Sequence, residues 1–295
     1  MTSRRIFIKS ASALSAAIFV KGPVNAFKQE PLIGLQLYTV RDAIQQDPVH
    51  TLQQVAKIGY NSVEGATYTG SEKFYGMDPL LFKKVLKDNG LVMPSGHYRL
   101  GEEKTPAIVK GTMLHDWQKA VDDAAEAGLK YMVCAYLSAE ERGSLDHYKA
   151  LAEAFNKAGA TCKKSGIQFC YHNHDFEFEA QRGVYPYDIL LDDTDKNLVK
   201  MEMDLYWVTK AGHDPLELFK KHPGRFPLWH VKDMAKTPDH TFTEVGNGTI
   251  DFKSIFHQKA LAGMKYFFVE QDICPGSPFD SITQSFNYIK KNLVS

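Results

Sequence analysis

Short runs rich in apolar and β-branched residues alternate along the chain with longer segments whose apolar residues recur at helical spacing. Several helical segments end in a glycine just before the next run, a common residue at helix C-termini: Gly59, Gly90, Gly128 and Gly166. Eight such strand-then-helix units follow one another from residue 31 onward. The predicted strands are 32–38, 61–66, 91–96, 130–136, 167–172, 198–204, 226–231 and 266–271.

This alternation predicts a parallel sheet with right-handed crossovers. Eight units in about 265 residues fit a closed (β/α)8 TIM barrel, which typically has about 250 residues. A doubly wound sheet is the alternative, but it normally carries a glycine-rich phosphate loop after an early strand. The sequence contains neither G-x-G-x-x-G nor a Walker A motif. We therefore predict one α/β domain, a single (β/α)8 barrel, over residues 27–295.

Residues 1–26 have the features of a bacterial export signal. The stretch SRRIFIK (3–9) fits the twin-arginine pattern S-R-R-x-F-x-K, and VNA (24–26) resembles an A-x-A cleavage site. The apolar run between them, 11–20, is shorter than the roughly 20 residues that span a membrane. We expect this segment to be cleaved, which predicts a periplasmic protein without a membrane attachment.

The amino-acid composition excludes one class of function and indicates the state of the cysteines. Lys+Arg and Asp+Glu both number 35, so the formal net charge is zero, which argues against a nucleic-acid-binding protein. The four cysteines are scattered without C-x-x-C or zinc-finger spacing, and we expect them to be buried free thiols. The oligomeric state stays open, with a homodimer as one candidate.

Polar and ionisable residues collect where the predicted strands end. In a TIM barrel these ends meet at one mouth, which carries the chemistry. Alternation along each strand places His172 with His174 and Glu202 with Asp204 on shared faces. The residues at strand ends are Gln36, Tyr38, Glu64, His97, His172, His174, Glu202, Asp204, His230, Lys232 and Glu270.

Three of these residues form a candidate metal site. Asp204, His230 and Glu270 come from successive predicted strands and offer two carboxylates and an imidazole. Each alone has a structural explanation, such as capping the next helix or pairing with a lysine. Together they suit a divalent ion, Mn, Co, Zn or Mg, with positions left for substrate oxygens.

Four segments carry a family resemblance: MEMDLYW (201–207), LWHVKDM (228–234), EVGNGTIDF (244–252) and FFVEQD (267–272). The chain resembles the xylose isomerase-like, or sugar phosphate isomerase/epimerase, superfamily of metal-dependent TIM barrels over essentially its whole length after the signal. The resemblance implies that Asp204, His230 and Glu270 bind the metal and that the substrate is a small carbohydrate.

The sequence departs from the family pattern at two positions. Many epimerases of the group have a glutamate at the end of strand five, where this chain has His172, and a histidine where it has Trp207. The stretch YHNHDFEF (171–178) resembles a branch near inosose dehydratases and enzymes of keto-sugars and keto-glycosides. Glu177 is then either the missing metal ligand or a solvated loop residue. In the first case His172 and His174 are free for acid–base or substrate-binding work.

The favoured function is a metal-dependent isomerase or epimerase of an unphosphorylated sugar, which proceeds through an enediolate. Glu270, His172 or His174 would move the proton, and Lys232 would stabilise the enediolate. The alternatives are a lyase or hydratase that eliminates from a keto-sugar or 3-keto-glycoside, and a sugar-binding barrel without catalysis. Expected substrate-contacting residues are Gln36, Tyr38, Glu64, His97, Glu202 and Trp207, with Phe176 and Tyr206 as further aromatic candidates.

Overall fold

The computed structural model describes residues 31–101 and 110–294, so the predicted export signal lies outside the described residues. Eight parallel strands close into a barrel, as predicted. Seven lie within their predicted runs, and the third extends two residues beyond the predicted 91–96. Around the barrel the order is β1-β2-β3-β4-β5-β6-β7-β10, with β10 paired to β1. These strands are β1 Gly34–Gln36, β2 Ser62–Gly65, β3 Val92–Tyr98, β4 Tyr131–Cys134, β5 Gln168–His172, β6 Val199–Asp204, β7 Leu228–Val231 and β10 Tyr266–Val269.

Helices surround the barrel and usually begin at a side chain that accepts a backbone N–H. Asp78 and Ser144, for example, accept the N–H of Leu81 and His147 at 2.9 and 3.3 Å. The helices are α1 Arg41–Gln46, α2 Pro48–Ile58, α3 Pro79–Asp88, α4 Trp117–Ala127, α5 Leu145–Lys164, α6 Pro186–Asp192, α7 Leu205–Lys210, α8 Pro215–Lys221, α9 Phe252–His257, α10 Lys259–Ala262 and α11 Pro278–Asn292. Two short 3-10 helices, Leu37–Val40 and Phe176–Phe178, follow β1 and β5.

The large apolar core lies between the strands and the helices. A second, small cluster of buried side chains forms separately from it: Val133, Cys170, Leu228 and Phe268. Because side chains on a strand alternate between its two faces, His172, His230 and Glu270 lie on the same face as Cys170, Leu228 and Phe268, two residues further along. The inner face of the barrel therefore changes from apolar to ionisable toward the C-terminal ends of the strands.

A two-stranded hairpin follows β7 and was not predicted. Its strands, β8 Asp233–Met234 and β9 Phe242–Thr243, pair antiparallel. The Asp233 carboxylate holds the segment after the hairpin, because it accepts the N–H groups of Gly246 at 2.8 Å, Gly248 at 3.0 Å and Ile250 at 3.2 Å. The H-V-K-D and G-x-G segments are thus parts of one interaction beside the barrel mouth.

Two further expectations concern the cysteines and the membrane. Cys134, Cys162 and Cys170 are buried free thiols as predicted, and Cys274 is free but only half-buried. Within residues 31–101 and 110–294, no helix is both long and apolar enough to cross a membrane.

Candidate metal centre and active site

Four donor atoms from four barrel strands meet at the mouth. They are His172 Nε2, Asp204 Oδ2, His230 Nδ1 and Glu270 Oε2, and all lie within 4.8 Å of one another. His172 and Asp204 end β5 and β6, and the strand register sets Asp204 beside His230. His172 Nε2 lies 3.1 Å from His230 Nδ1 and 3.3 Å from Asp204 Oδ2, while His230 Nδ1 lies 2.6 Å from Glu270 Oε2.

In His172 and Asp204, the second polar atom of the side chain is held by a partner outside this set. Nδ1 of His172 donates to the carbonyl of Ala135 at 3.1 Å, which leaves the Nε2 lone pair directed at the other donors. The other carboxylate oxygen of Asp204 caps α7 by accepting the N–H of Trp207 at 3.0 Å. Asp204 therefore both caps a helix and presents Oδ2 to the group.

A divalent ion fits this donor set. Two nitrogens and two carboxylate oxygens at these separations suit one ion that takes ligands at about 2.0–2.2 Å. Burial, followed by the charge of His230, lowers the pKa of His172 to about 4, so its imidazole is neutral and can act as a ligand. Burial alone would raise the pKa of Asp204, but the charge of Lys232 holds it well below its usual value.

Lys232 pairs with carboxylates of the four donor residues His172, Asp204, His230 and Glu270, which we call the metal group. It lies two residues after His230, so its side chain is on the same face. Its ammonium lies 2.9 Å from Asp204 Oδ2, 2.8 Å from Glu270 Oε2 and 2.9 Å from Asp272 Oδ1. The three carboxylates outweigh the burial and raise the pKa of Lys232 well above its usual value. The side chain therefore remains a cation that is held at the metal group.

A second ionisable group lies on the other side of the His230 ring. His230 Nε2 lies 2.6 Å from Glu64 Oε2 and 3.3 Å from Glu202 Oε2, and His97 Nε2 lies 2.8 Å from the same Glu202 oxygen. Gln36 adds a donor to Glu64 at 2.8 Å. The predicted residues Gln36, Glu64 and Glu202 are thus brought together, but in the barrel interior, where all three are fully buried.

Within this inner group, mutual pairing favours the charged forms of Glu64 and His97. Burial would lower the pKa of His97, but Glu64 and Glu202 raise it to about 9. Burial and then the like charge of Glu64 raise the pKa of Glu202 to about 7. Oε1 of Glu64 and Oε1 of Glu202 are buried and have no hydrogen-bond partner among the described residues. Across both groups and Asp272, five carboxylates face one lysine and two histidines with raised pKa, so a divalent cation would offset the excess negative charge.

His174 stands at the cavity wall. Its ring stacks on Phe176 at 5.3 Å between centroids and meets the edge of Tyr136 at 5.1 Å. Nδ1 of His174 is buried without a hydrogen-bond partner in the described chain. Burial holds the pKa of His174 well below its usual value, so the ring is neutral and is a candidate proton acceptor at the edge of a substrate-sized cavity.

Glu177 lies apart from both groups. Its side chain is fully buried, so the alternative of a solvated loop residue is wrong. Tyr171 donates its hydroxyl hydrogen bond to Oε1, and the backbone N–H of His174 donates to Oε2 at 2.8 Å. Burial raises the pKa of Glu177 to about 7. The geometry thus presents His172, rather than Glu177, as the fourth donor.

A cavity of about 520 Å³ opens above the metal group. His97, His172, His174, Lys232 and Glu270 line it. Tyr38 also lines it and keeps 43 % of its surface exposed. Predicted Trp207 is half-buried behind the wall, with its ring 5.6 Å from that of His174, and Tyr206 is buried.

Residues 52–290 match the xylose isomerase-like TIM barrel family. The chain belongs to this family. Among curated proteins it is similar to an inosose dehydratase of Clostridium perfringens, with 30% identity over 165 residues that cover 50% of this chain and 55% of that protein. An inosose dehydratase of Clostridium beijerinckii is 26% identical over 168 residues, again 50% and 55% of the two chains. This chain therefore spans about half the length of the curated relatives that it matches.

Solved structures extend the comparison. A sugar phosphate isomerase/epimerase from Parabacteroides distasonis is 30% identical with a TM-score of 0.77, covering 89% of this chain and 99% of that one. An IolI protein with a bound zinc atom superposes with a TM-score of 0.67 at 13% identity, over 88% and 97% of the two chains, and shares the fold.

Some site residues of this xylose isomerase-like barrel were missed in the sequence. Asp272 follows Glu270 on the same face and pairs with Lys232, a position that period-two alternation beyond β10 indicates. Tyr136 lines the cavity two residues after β4 and was included only as the last residue of a predicted strand. Asp233 was visible within H-V-K-D, but its four backbone partners depend on a loop path that no local pattern shows.

Proposed function

We propose that the chain is a metal-dependent lyase that eliminates a β-substituent from an unphosphorylated keto-sugar or 3-keto-glycoside. The observation that carries this proposal is the position of His172, whose Nε2 points at the other donor atoms. The resemblance to epimerases places a carboxylate base at this strand end. Here the strand end presents a ligand, so the second base of a two-base epimerisation is missing from that position. The similarity to inosose dehydratases supports the same reaction class.

The proton movements of this elimination can be assigned to residues around the cavity. Glu270 or His174 takes the hydrogen from the carbon next to the carbonyl, and the C–H electron pair moves onto the carbonyl oxygen as an enolate. The electrons then return to form a carbon–carbon double bond while the bond to the β-oxygen breaks. The departing oxygen takes the proton that the base removed and leaves as water or as an alcohol, which returns the base to its starting form. Lys232 holds positive charge beside the enolate.

The residues that would hold the divalent ion are His172, Asp204, His230 and Glu270. The bound ion would supply Lewis-acid polarisation of the substrate carbonyl. His172 contributes a neutral nitrogen because its Nδ1 donates to the Ala135 carbonyl. The neighbouring carboxylates raise the pKa of His230, so its Nδ1 would give up a proton on binding the ion while Nε2 continues to donate to Glu64. Asp204 is oriented by the amino terminus of α7.

An isomerase or epimerase is the second candidate. It is favoured by the Parabacteroides distasonis structure, which bears that name and matches over 99% of its length. Glu270 and His174 are separate proton-transfer candidates along the cavity wall, which isomerisation also requires. Both reactions begin with removal of the same proton, and they differ in whether the enolate is reprotonated or loses its β-substituent.

The proposal of an unphosphorylated substrate rests on the charges at the cavity. Two cations line the cavity: Lys232 already pairs with three carboxylates, and the exposed Arg99 also has a partner within the protein. The twin-arginine pattern at residues 3–9 supports export to the periplasm, where phosphorylated sugars are scarce. Expression of the full chain in a bacterium with twin-arginine transport tests the location. We expect a processed periplasmic protein, and we expect the double variant Arg4→Lys/Arg5→Lys to remain in the cytoplasm. A wild-type chain found unprocessed in the cytoplasm would contradict export.

The reaction is tested by NMR in D₂O with the metal-loaded protein. We expect unphosphorylated keto-sugars or 3-keto-glycosides to release water or the aglycone and to give an unsaturated ketone. Deuterium incorporation with an intact carbon skeleton would instead establish isomerisation or epimerisation. A metal-loaded protein that binds these sugars without exchange or release would be a non-catalytic sugar-binding barrel. Asp204→Asn should abolish turnover, while Glu244→Gln, a buried carboxylate outside the site, should retain it.

A further inference from the structure

The cavity extends well beyond the metal group. His172, Lys232 and Glu270 border one side of it, at the ends of β5, β7 and β10. The opposite side lies over the ends of β2, β3 and β4, whose residues are not part of the metal group. Its volume of about 520 Å³ is within the roughly 300–1,000 Å³ of sites for drug-sized ligands. The substrate therefore has room for a substantial group beyond the ring that reaches the metal.

The side over β2–β4 combines apolar and aromatic side chains with polar ones. The polar side chains that line it are Thr67, Thr69, Arg99 and Glu141. Ala66, Leu100 and Ala135 line it and offer no side-chain hydrogen bonds. Tyr68 also lines it, but its hydroxyl is committed to Asp123 at 2.8 Å, so the ring is what borders the cavity. The aliphatic side chains and tyrosine rings provide the apolar contact that an aromatic ring needs, while the polar side chains make a second sugar ring the alternative that the binding experiment tests.

Tyr136 gives this side a fixed ring. It lines the cavity with 47 % of its surface exposed. Its ring meets those of His174 and Phe176 nearly at right angles, at 84° and 86°. The Arg142 guanidinium lies 3.6 Å from the centre of the Phe176 ring and supports this wall. An exposed aromatic ring that is braced by two others provides a stacking surface at little entropic cost.

We propose that the side of the cavity over β2–β4 is a binding subsite for the aromatic aglycone of a glycoside, with Tyr136 as its stacking residue. This inference rests on the proposed function, because it makes the β-substituent an aryl-oxygen group. In the elimination, the bond between the sugar carbon and the glycosidic oxygen breaks, its electron pair stays on that oxygen, and the oxygen leaves with a proton as a phenol. His174, which contacts Tyr136, lies beside the path of this leaving group.

Equilibrium binding tests the subsite apart from catalysis. The ligands are phenyl β-glucoside, methyl β-glucoside and cellobiose, which lack the keto group that elimination requires, titrated by calorimetry into the metal-loaded protein. We expect phenyl glucoside to bind about tenfold more tightly than methyl glucoside. Equal affinities for these two ligands would overturn the proposal. Tighter binding of cellobiose than of phenyl glucoside would overturn it in favour of a second sugar.

Variants of Tyr136 assign the effect to this wall. Tyr136→Ala should weaken phenyl glucoside about five- to tenfold and leave methyl glucoside unchanged, while Tyr136→Phe should restore the preference. Tyr185→Ala removes an exposed tyrosine outside this cavity and should change nothing. An unchanged phenyl preference in Tyr136→Ala would overturn the proposal. Elimination from methyl and aryl keto-glycosides at equal rates would overturn the subsite and leave the lyase function intact. Aryl binding without turnover of any keto-glycoside would support the subsite and overturn the lyase function.

Discussion

Nε2 of His230 lies 2.6 Å from Oε2 of Glu64, across the imidazole ring from the nitrogen that faces Glu270. A histidine that binds a metal usually donates its other N–H to a carboxylate, which fixes its orientation and increases its basicity. Glu64 has this relation to His230, and Gln36 and His97 hold Glu64 in turn. Glu64 is therefore a positioning residue for the metal group.

Glu64→Gln is expected to weaken divalent-metal binding about 10- to 100-fold, because the amide keeps the shape but loses the charge that supports His230. Competition with a chromogenic chelator measures the affinity directly, without turnover. Glu244→Gln is the matched control, since Glu244 is a buried carboxylate that accepts from Ser281 outside the site. Equal metal affinities of wild type and Glu64→Gln would rule out this role.

Metal removal tests which residue is the fourth ligand. Adding ion at a hundredfold excess over Kd stabilises a protein by about 2.7 kcal/mol, which corresponds to roughly 5–10 °C in Tm for a domain of this size. We expect this shift for the chelator-stripped wild type and for Glu177→Gln, and a much smaller one for His172→Gln. Scanning calorimetry with and without the ion provides the measurement. A shift lost in Glu177→Gln and kept in His172→Gln would mean that Glu177 is the ligand.

The barrel could be predicted from sequence because each strand is buried by helices on one side and by inward side chains on the other. Such strands appear as compact apolar runs between helical segments. The hairpin was missed because β8 and β9 have two residues each, too few for alternation to be visible. It is held by the contacts of Asp233 with a segment more than ten residues away, which depend on tertiary structure.

The candidate site was predictable to the level of strand ends. Asp204, His230 and Glu270 were grouped from their positions, and the structure brings them within 4.8 Å of one another. The choice between His172 and Glu177 depended on the chain path after β5. There the short 3-10 helix Phe176–Phe178 places the Glu177 carboxylate against Tyr171 and the His174 N–H. Position along a strand also did not indicate how deep in the barrel a side chain lies. Residues of the barrel interior could therefore not be separated from those that line the cavity.

The buried carboxyl of Glu177 makes a prediction about pH. Burial raises its pKa from 4.5 to about 7, so between these values the folded protein binds a proton that the unfolded chain releases. Stability from this group is therefore fully present below about pH 4.5, falls as the pH rises toward 7 and is level above it. The total change is about 3 kcal/mol at most.

Glu177→Gln should remove this contribution, because the amide mimics the protonated acid toward Tyr171 and the His174 N–H. Urea unfolding at several pH values should show that the free energy of unfolding of the variant rises relative to that of the wild type between pH 4.5 and 7.5. Glu179→Gln, an exposed neighbour, should follow the wild-type pH dependence. A constant difference between wild type and Glu177→Gln across this range would show that the carboxyl does not titrate there.

Gly248 lies against the Asp233 carboxylate so closely that a Cβ atom would overlap Oδ1 of Asp233 and the carbonyl oxygen of Met234. Both atoms are fixed, because Asp233 accepts several backbone N–H groups and the Met234 carbonyl accepts the Thr249 N–H at 2.9 Å. Gly248→Ala must therefore displace the segment from the hairpin, and we expect a loss of about 1–3 kcal/mol in urea unfolding. Gly276→Ala is the control, because a Cβ there meets nothing within 4 Å and should cost little. Equal stabilities of the two variants would mean that the Asp233 contacts do not constrain this segment.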